Sequence, residues 1–148
     1  MCACHLLICV RRIHWQGNYL AENPCKNDQY VHVDERRATS GSLKKLHEML
    51  YRGRNRGGVD HPRDVYYLLL CRVAMGCYVR TKDAKTIHTS GKELWSNEER
   101  VLAQIPGTQF IYHSLLAETG GVIARHREFI VFKGTRIYPE YILAYKRK

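Results

Sequence analysis

The sequence lacks several patterns that would identify its class at once. It has no G-x-G-x-x-G fingerprint of dinucleotide-binding folds and no repeat of fixed period. The apolar stretch near its start is too short to span a bilayer and follows no basic region, and Cys2 stands where myristoylation requires glycine. These absences argue against a Rossmann-type enzyme, a repeat protein and a membrane partner, and they predict a nuclear or cytoplasmic protein.

The cysteines do not form the pattern of a secreted or zinc-binding protein. There are six, and no secretory leader precedes them, so we expect reduced thiols. Cys2, Cys4, His5 and Cys9 are soft metal ligands close together. Their spacing differs from the two-residue gap of paired zinc cysteines, and no second pair follows. We therefore predict no metal site.

An excess of basic residues is the clearest signal in the composition. The 148 residues include 24 Lys and Arg against 14 Asp and Glu, which gives a net charge of +10. This balance favours anionic partners without choosing among nucleic acid, nucleotide phosphates and acidic surfaces. The segment "YRGRNRGG" is either a nucleic-acid-binding loop or a solvated loop, with Arg52, Arg54 and Arg56 as the candidate contacts.

Hydrophobic spacing predicts one helix and several strands. Apolar residues at three- and four-residue spacing in "SGSLKKLHEML" predict an amphipathic helix that begins at Ser40 or Ser42 and ends near Gly53. The apolar run over residues 65–79 fits a buried helix or strand, and its aromatic and branched residues favour a strand. Within the polar stretch over residues 81–107 we expect loop and one short helix, at residues 97–104.

Two short segments near the C-terminus, "REFIVF" and "YPEYILAY", are rich in branched and aromatic residues. Gly134 lies between them and can supply a turn, so they predict an antiparallel hairpin. Strands that are concentrated late in the chain, with few helices between them, favour an α+β or mainly β domain over alternating βαβ units.

Glu128 is the first candidate for chemistry. Alternation in "REFIVF" places it on the same strand face as Ile130 and Phe132, while the other face is apolar as well, which predicts a central strand. A carboxylate at the mouth of a buried strand is costly to desolvate, and such groups are often functional. The alternative is a strand-end carboxylate that is solvated or paired with an arginine.

Two tyrosines flank a short polar segment, "GNYLAENPCKNDQY". It predicts a turn at Gly17, a short strand through Tyr19, and a helical turn that places Lys26 and Tyr30 at i and i+4. Both tyrosines can then edge one pocket, where their rings would sandwich a flat, cationic ring. The alternative is a pair of core tyrosines with hydrogen-bonded hydroxyls.

These segments resemble, in order, the motifs of the C-terminal part of the poly(ADP-ribose) polymerase catalytic domain, with tankyrase-like features. "GNYLAENPCKNDQY" resembles the family's G-I-Y-(F/L)-A-(E/D)…K-S…Y motif, and "LLLCRVAMG" resembles its C-R-V-x-x-G strand. "YHSL" resembles its H-S-(V/L), and "REFIVFKGTRIYPEYILAY" resembles its ending. Each motif is short, but four occur in family order and the Y-P-E-Y is complete.

The resemblance implies an ADP-ribosyltransferase that uses NAD as its substrate and releases nicotinamide as it modifies a protein acceptor, with single units or chains of ADP-ribose. Tyr19 and Glu128 would be catalytic, Tyr19 and Tyr30 would stack on nicotinamide, and Glu128 would hold the ribose 2′-hydroxyl. Asn27 would replace the serine that bonds the carboxamide. The positions implied to contact NAD are Gly17, Tyr19, Ala21, Lys26, Asn27 and Tyr30.

The N-terminus departs from the family. Residues 1–16 match nothing in it, and residues 17–148 resemble a partial catalytic domain. Neither His5, followed by Leu6, nor His14, followed by Trp15, provides the family's His-Gly strand. We therefore expect an α+β fold with a mostly antiparallel sheet that lacks its N-terminal strand. The protein would then self-associate along the open edge of the sheet and have almost no transferase activity. The alternative function is a non-catalytic basic module that binds nucleic acid or ADP-ribose.

Overall fold

The computed structural model describes residues 3–9, 17–53 and 57–148. The chain divides into two compact units. The first comprises Met1–Tyr30 and Leu68–Leu143, and the second comprises Val31–Tyr67 and Ala144–Lys148. No helix among the described residues is both long and apolar enough to cross a membrane.

The described residues form seven strands and two α-helices, with a 3-10 turn at Gly134–Arg136. The helices are α1 (Pro24–Asp28) and α2 (Ser42–Leu50), and the strands are β1 (Ala3–Cys9), β2 (Asn18–Ala21), β3 (Tyr66–Ala74), β4 (Tyr78–Thr81), β5 (Ser114–Ala117), β6 (Glu128–Val131) and β7 (Ile137–Tyr145). One sheet has the order β4-β5-β6-β2-β1-β3-β7. The pair β4 and β5 is parallel, whereas β5 and β6, β6 and β2, β2 and β1, and β1 and β3 are antiparallel. The predicted α+β class is confirmed, with a mixed sheet.

Strand β1 contradicts the expectation that the N-terminal segment adds no strand. It lies between β2 and β3, where Cys9 pairs with Tyr19 and His5 pairs with Arg72. Pairing on both sides supplies hydrogen-bond partners to both edges of the strand, which offsets the cost of ordering a segment close to the chain terminus. The sheet therefore has no open edge beside β2, and the expectation of a missing strand at that position is wrong.

The predicted C-terminal hairpin is wrong, although both of its strands exist. β6 pairs with β2 on one side and with β5 on the other, so neither of its edges is available to β7. The 3-10 turn at Gly134–Arg136 leads instead to β7, which lies beside β3 at the end of the sheet. Alternation correctly predicted the strands but carries no information about which strands are neighbours.

The predicted helix at residues 97–104 is also wrong. Trp95 and Leu102 form an antiparallel bridge, and the chain reverses between them. The side-chain oxygen of Asn97 accepts a hydrogen bond from the backbone of Val101, at 3.1 Å, and stabilises this turn. Asparagine favours such local bonds over a helix. Leu94 and Leu102 are buried and anchor the loop.

The central strands are buried on both faces, as alternation predicted. Tyr19 and Ile130 pack in one hydrophobic cluster, whereas their neighbours Leu20 and Val131 pack in another. The expectation of strand for the run over residues 65–79 is confirmed by β3, although the strand ends at Ala74 and β4 begins only at Tyr78, and the amphipathic helix is confirmed by α2. Glu128 shares the parity of Ile130 along β6, which places it on the face of the sheet that carries Tyr19.

Candidate functional site

A cleft of about 190 Å³ in the first unit brings together four residues singled out in the sequence. These are Tyr19, Lys26, Tyr30 and Glu128. The other lining residues are Thr81, Lys82, Ala84, Ala117, Val122 and Ile123. Tyr19 is a core residue as well, since it packs in a buried hydrophobic cluster, so the core interpretation holds for Tyr19 while both tyrosines line the cleft.

Strand β2 and helix α1 position three of these side chains. Tyr19 pairs with Ile130 of β6, so the tyrosine lies beside the strand that begins with Glu128. Asn23 caps α1 by accepting a hydrogen bond from the backbone of Cys25 at 2.9 Å, and Pro24 begins the helix. Tyr30 lies in the turn after α1, where its backbone donates to Asn27 at 3.0 Å, and this turn brings Tyr30 to the same cleft as Lys26.

Lys26 and Glu128 form an ion pair in the cleft, with 2.5 Å between Nζ and Oε1. Both side chains are largely buried, at 20% and 13% exposure. Burial lowers the pKa of Lys26, but hydrogen bonds to Glu128 and Tyr30 outweigh it and leave the pKa above its usual value. Lys26 is therefore protonated at neutral pH, and its Nζ also lies 5.4 Å from the centre of the Tyr30 ring. The sequence left open whether the carboxylate of Glu128 is solvated or paired with an arginine. It is paired, and its partner is a lysine.

The other predicted NAD-contacting positions lie close by but outside the described lining of the cleft. Gly17 packs against β6, where a Cβ would come within 2.5 Å of Ile130. Ala21 is buried at the end of β2. Asn27 is fully buried, and its side-chain amide has no hydrogen-bond partner among the described residues. A direct contact between Asn27 and a ligand in the cleft stays a prediction.

The basic loop is only partly described. Arg52 is exposed, whereas Arg54 and Arg56 lie outside the described residues. Backbone hydrogen bonds between Gly53 and Gly58 and between Gly53 and Val59 close the base of the loop. A nucleic-acid contact through this loop stays a prediction.

The second unit contains a polar cluster that sequence reasoning missed. Asp34, His47 and His61 place their side-chain donor and acceptor atoms within 4.8 Å of one another. Asp34 Oδ2 is 2.6 Å from His47 Nε2, 3.1 Å from His61 Nε2 and 3.0 Å from the Tyr67 hydroxyl. The residues lie far apart in sequence without any spacing motif, so no local pattern signalled the cluster.

The tautomers of the two histidines argue for a hydrogen-bonded anchor rather than a metal centre. His47 Nδ1 accepts a hydrogen bond from the backbone of Ala38, and His61 Nδ1 accepts one from Arg63. The proton of each neutral ring is therefore on Nε2, which faces Asp34, whereas a metal-binding Nε2 must be unprotonated. Three donors crowd one carboxylate oxygen, and His47 Nε2 approaches it outside hydrogen-bonding geometry.

The carboxylate of Asp34 is stabilised by this arrangement. Partial burial raises its pKa, but hydrogen bonds from His61 and Tyr67 outweigh burial and hold the pKa below its ordinary value. The same contacts act in the opposite direction on Tyr67, whose pKa is raised by burial and by its bonds to Tyr51 and Asp34. The cluster is thus built around an ionised Asp34 and a neutral Tyr67.

In comparisons with known proteins, no family model matches the chain, and no curated protein is significantly similar to it. Family membership therefore rests on the short ordered motifs and on the geometry of the cleft, and it is a proposal.

Proposed function

We propose that this chain is an ADP-ribosyltransferase of the poly(ADP-ribose) polymerase family, which transfers ADP-ribose from NAD to a protein acceptor and releases nicotinamide. The observation that carries the proposal is the convergence of Tyr19, Tyr30, Lys26 and Glu128 on one cleft. Tyr19 comes from β2, Lys26 from α1, Tyr30 from the turn that follows α1, and Glu128 from β6, and each matches a position in a family motif.

The size of the cleft fits part of the substrate. Pockets for whole drug-sized ligands measure about 300–1,000 Å³. A cleft of about 190 Å³ accommodates a single flat ring and the sugar attached to it, and the rest of the dinucleotide would extend outside. In the proposed complex Tyr19 and Tyr30 would stack on the ring, which carries a positive charge in NAD and is attracted to aromatic faces.

Glu128 supplies the electrostatic part of the proposed reaction. As the bond to nicotinamide breaks, positive charge develops on the ribose, and a fixed carboxylate nearby stabilises it, as in glycoside cleavage. Lys26 occupies one oxygen of Glu128. A carboxylate has about four lone-pair sites, so Glu128 can also accept a hydrogen bond from the ribose 2′-hydroxyl. Lys26 is then a positioning residue that fixes the orientation of Glu128.

Strand β1 supports activity of the chain itself. In the family, a histidine on a strand near the tyrosine contacts the adenosine ribose and the carboxamide. Here β1 pairs directly with β2, with Cys9 opposite Tyr19, and His5 lies four residues from Cys9 along β1, opposite Arg72 of β3. We assign the family histidine's place to His5, although Leu6 follows it where the family has glycine.

Two measurements on the 148-residue chain test the proposal. Isothermal titration with NAD measures binding, and release of nicotinamide from NAD measures turnover. The proposal expects both, with transfer of ADP-ribose to protein in the presence of an acceptor. Failure to bind NAD at millimolar concentration would refute the donor site.

The second candidate is a non-catalytic basic module, and one observation favours it. The Lys26 ammonium already neutralises Glu128, as it would in a site that only binds. The salt dependence of RNA or DNA binding separates the two candidates, because a nucleic-acid module that neutralises several phosphates loses affinity steeply as salt rises. A steep slope together with no nicotinamide release would favour this candidate.

A further inference from the structure

A second and larger cleft lies in the first unit, at the end of β5 and β6 that is opposite to Glu128. Its volume is about 600 Å³, within the range of ligand pockets. His113 precedes β5 and Lys133 follows β6, whereas Ala117 and Glu128, at the opposite ends of these strands, line the first cleft. The two clefts share no described lining residue.

One wall of this second cleft is basic and is built around Gly76. His113 Nδ1 lies 2.5 Å, and Arg136 Nη1 3.1 Å, from the point where a Cβ at Gly76 would stand. Gly76 has a φ of 64°, a backbone conformation that favours glycine, and a side chain at this position would also clash with His113. A glycine here lets the imidazole and the guanidinium approach one another over the backbone.

The tautomer of the neutral His113 ring is set by a hydrogen bond. Its Nδ1 accepts a hydrogen bond of 3.0 Å from the backbone of Cys77, so the neutral ring carries its proton on Nε2 as a donor. Burial lowers the pKa of His113, and the charges of Arg136 and Lys133 lower it further. The lowered pKa favours the neutral ring, which can donate to an anion from Nε2 beside the two cationic side chains.

Neither Lys133 nor Arg136 has an acidic partner within ion-pair distance in the part of the chain that the structure describes. Arginine and lysine side chains that are not neutralised by an ion pair are the usual elements of a phosphate site. Their side chains line the cleft together with His113, which adds a neutral donor.

The remaining walls provide complementary features. Tyr112 and Phe132 are half-buried aromatic residues that pack against the core and line the cleft, and aromatic rings at such a position can stack on a planar group. Glu98 and Glu99 line it as well, from the turn between Trp95 and Leu102. Carboxylates accept hydrogen bonds from hydroxyl and amino groups, so a ligand with phosphate at one end and such donors elsewhere would satisfy both charged walls.

We propose that this cleft is a second ligand site, specific for a nucleoside diphosphate, distinct from the NAD cleft and independent of it. The phosphates lie on Lys133, Arg136 and His113, the base stacks on Tyr112 or Phe132, and the sugar hydroxyls or base amino group donate to Glu98 or Glu99.

The test is isothermal titration of the full chain with ADP, pyrophosphate and adenosine. The variant is a double substitution, Lys133→Gln with Arg136→Gln. The matched control, Lys45→Gln with Lys92→Gln, removes the same charge from exposed positions outside both clefts. Thermal melts of all three proteins establish that they are folded.

We expect ADP to bind more tightly than either pyrophosphate or adenosine, because only ADP contacts all the walls. The double variant should lose about tenfold or more in ADP affinity, the scale of losing charge-assisted hydrogen bonds, and the control should not. Equal affinity of the double variant and the wild type for ADP would overturn the proposal. So would equal binding of adenosine and ADP, or loss of ADP binding in Tyr30→Ala, which would place ADP in the NAD cleft.

Discussion

Lys26 Nζ and Glu128 Oε1 lie 2.5 Å apart, and the pair joins α1 to the first residue of β6. Both side chains are mostly shielded from water, where an unpaired carboxylate would be costly. The lysine therefore compensates the desolvation of Glu128 and limits its rotation, while the other oxygen stays available to a ligand. The ion pair with Lys26 thus orients the carboxylate of Glu128 and still allows it to accept a hydrogen bond from the ribose, as proposed.

Replacing Lys26 with methionine should affect turnover more than binding. Methionine keeps much of the aliphatic volume but cannot hold Glu128, so the carboxylate loses its fixed orientation. We expect kcat for nicotinamide release to fall by about tenfold, the effect of one lost charge-assisted contact, with little change in NAD affinity. Lys44→Met, which removes an exposed lysine of α2, is the control. A Lys26→Met enzyme with undiminished kcat would contradict the positioning role.

Tyr30→Ala should weaken NAD binding by about 1 kcal/mol, or roughly fivefold in Kd, because one aromatic face of the cleft is lost. Titration calorimetry measures this directly. Tyr138→Ala, at an exposed tyrosine of β7, controls for a general effect of removing an aromatic ring. Unchanged NAD affinity in Tyr30→Ala would show that the ring of Tyr30 does not contact the ligand.

His5→Gln should reduce NAD affinity and turnover together if β1 supplies the family's histidine. The substitution keeps a polar side chain on the strand, so the pairing of β1 with β2 and β3 should persist. We expect a loss of about tenfold in kcat/KM, since one or two hydrogen bonds to substrate are removed. Cys4→Ser, at the adjacent position of the same strand, should be close to the wild type. Equal kinetics for His5→Gln and Cys4→Ser would leave His5 without a role in the site.

The sequence correctly predicted α2 and β3, because the signals that produce a helix or a strand lie within the segment itself. The apolar spacing that produces α2 and the branched residues that produce β3 act within one segment, as does the i and i+4 placement of Lys26 and Tyr30. Alternation around Ile130 correctly oriented Glu128 because the side-chain period of a strand is fixed.

The errors concern partners that are distant in sequence. Nothing in "REFIVF" indicates that β2 and β5 occupy both of its edges, so the hairpin with β7 was wrong. The short N-terminal segment forms β1 because β2 and β3 both pair with it, and its composition alone does not reveal this. The contacts of Asp34 with His47 and His61 likewise depend on tertiary packing.

Asp34→Asn should destabilise the second unit by about 1–3 kcal/mol at pH 7, because its donors lose an ionised acceptor. The lowered pKa of Asp34 means that its contribution is present above the unfolded-state pKa of about 3.9 and disappears as pH falls through the folded-state value. Thermal melts at pH 7 and pH 3 should therefore show a large Tm difference from the wild type at pH 7 and a smaller one at pH 3.

Glu35→Gln, at the exposed neighbouring position, is the control for the loss of one acidic charge. A Tm difference for Asp34→Asn that is the same at both pH values would show that the cluster does not depend on the ionised carboxylate.

The most direct test of the proposed transferase is Glu128→Gln, compared with Glu48→Gln on α2 as the control, with NAD binding and nicotinamide release measured on the same preparations. The substitution preserves shape but removes the charge aimed at the ribose. We predict that kcat falls by on the order of a hundredfold or more, the usual scale for one aimed electrostatic contact, while the Kd for NAD changes far less. Equal losses in binding and turnover, or no nicotinamide release by the wild-type chain, would contradict the account.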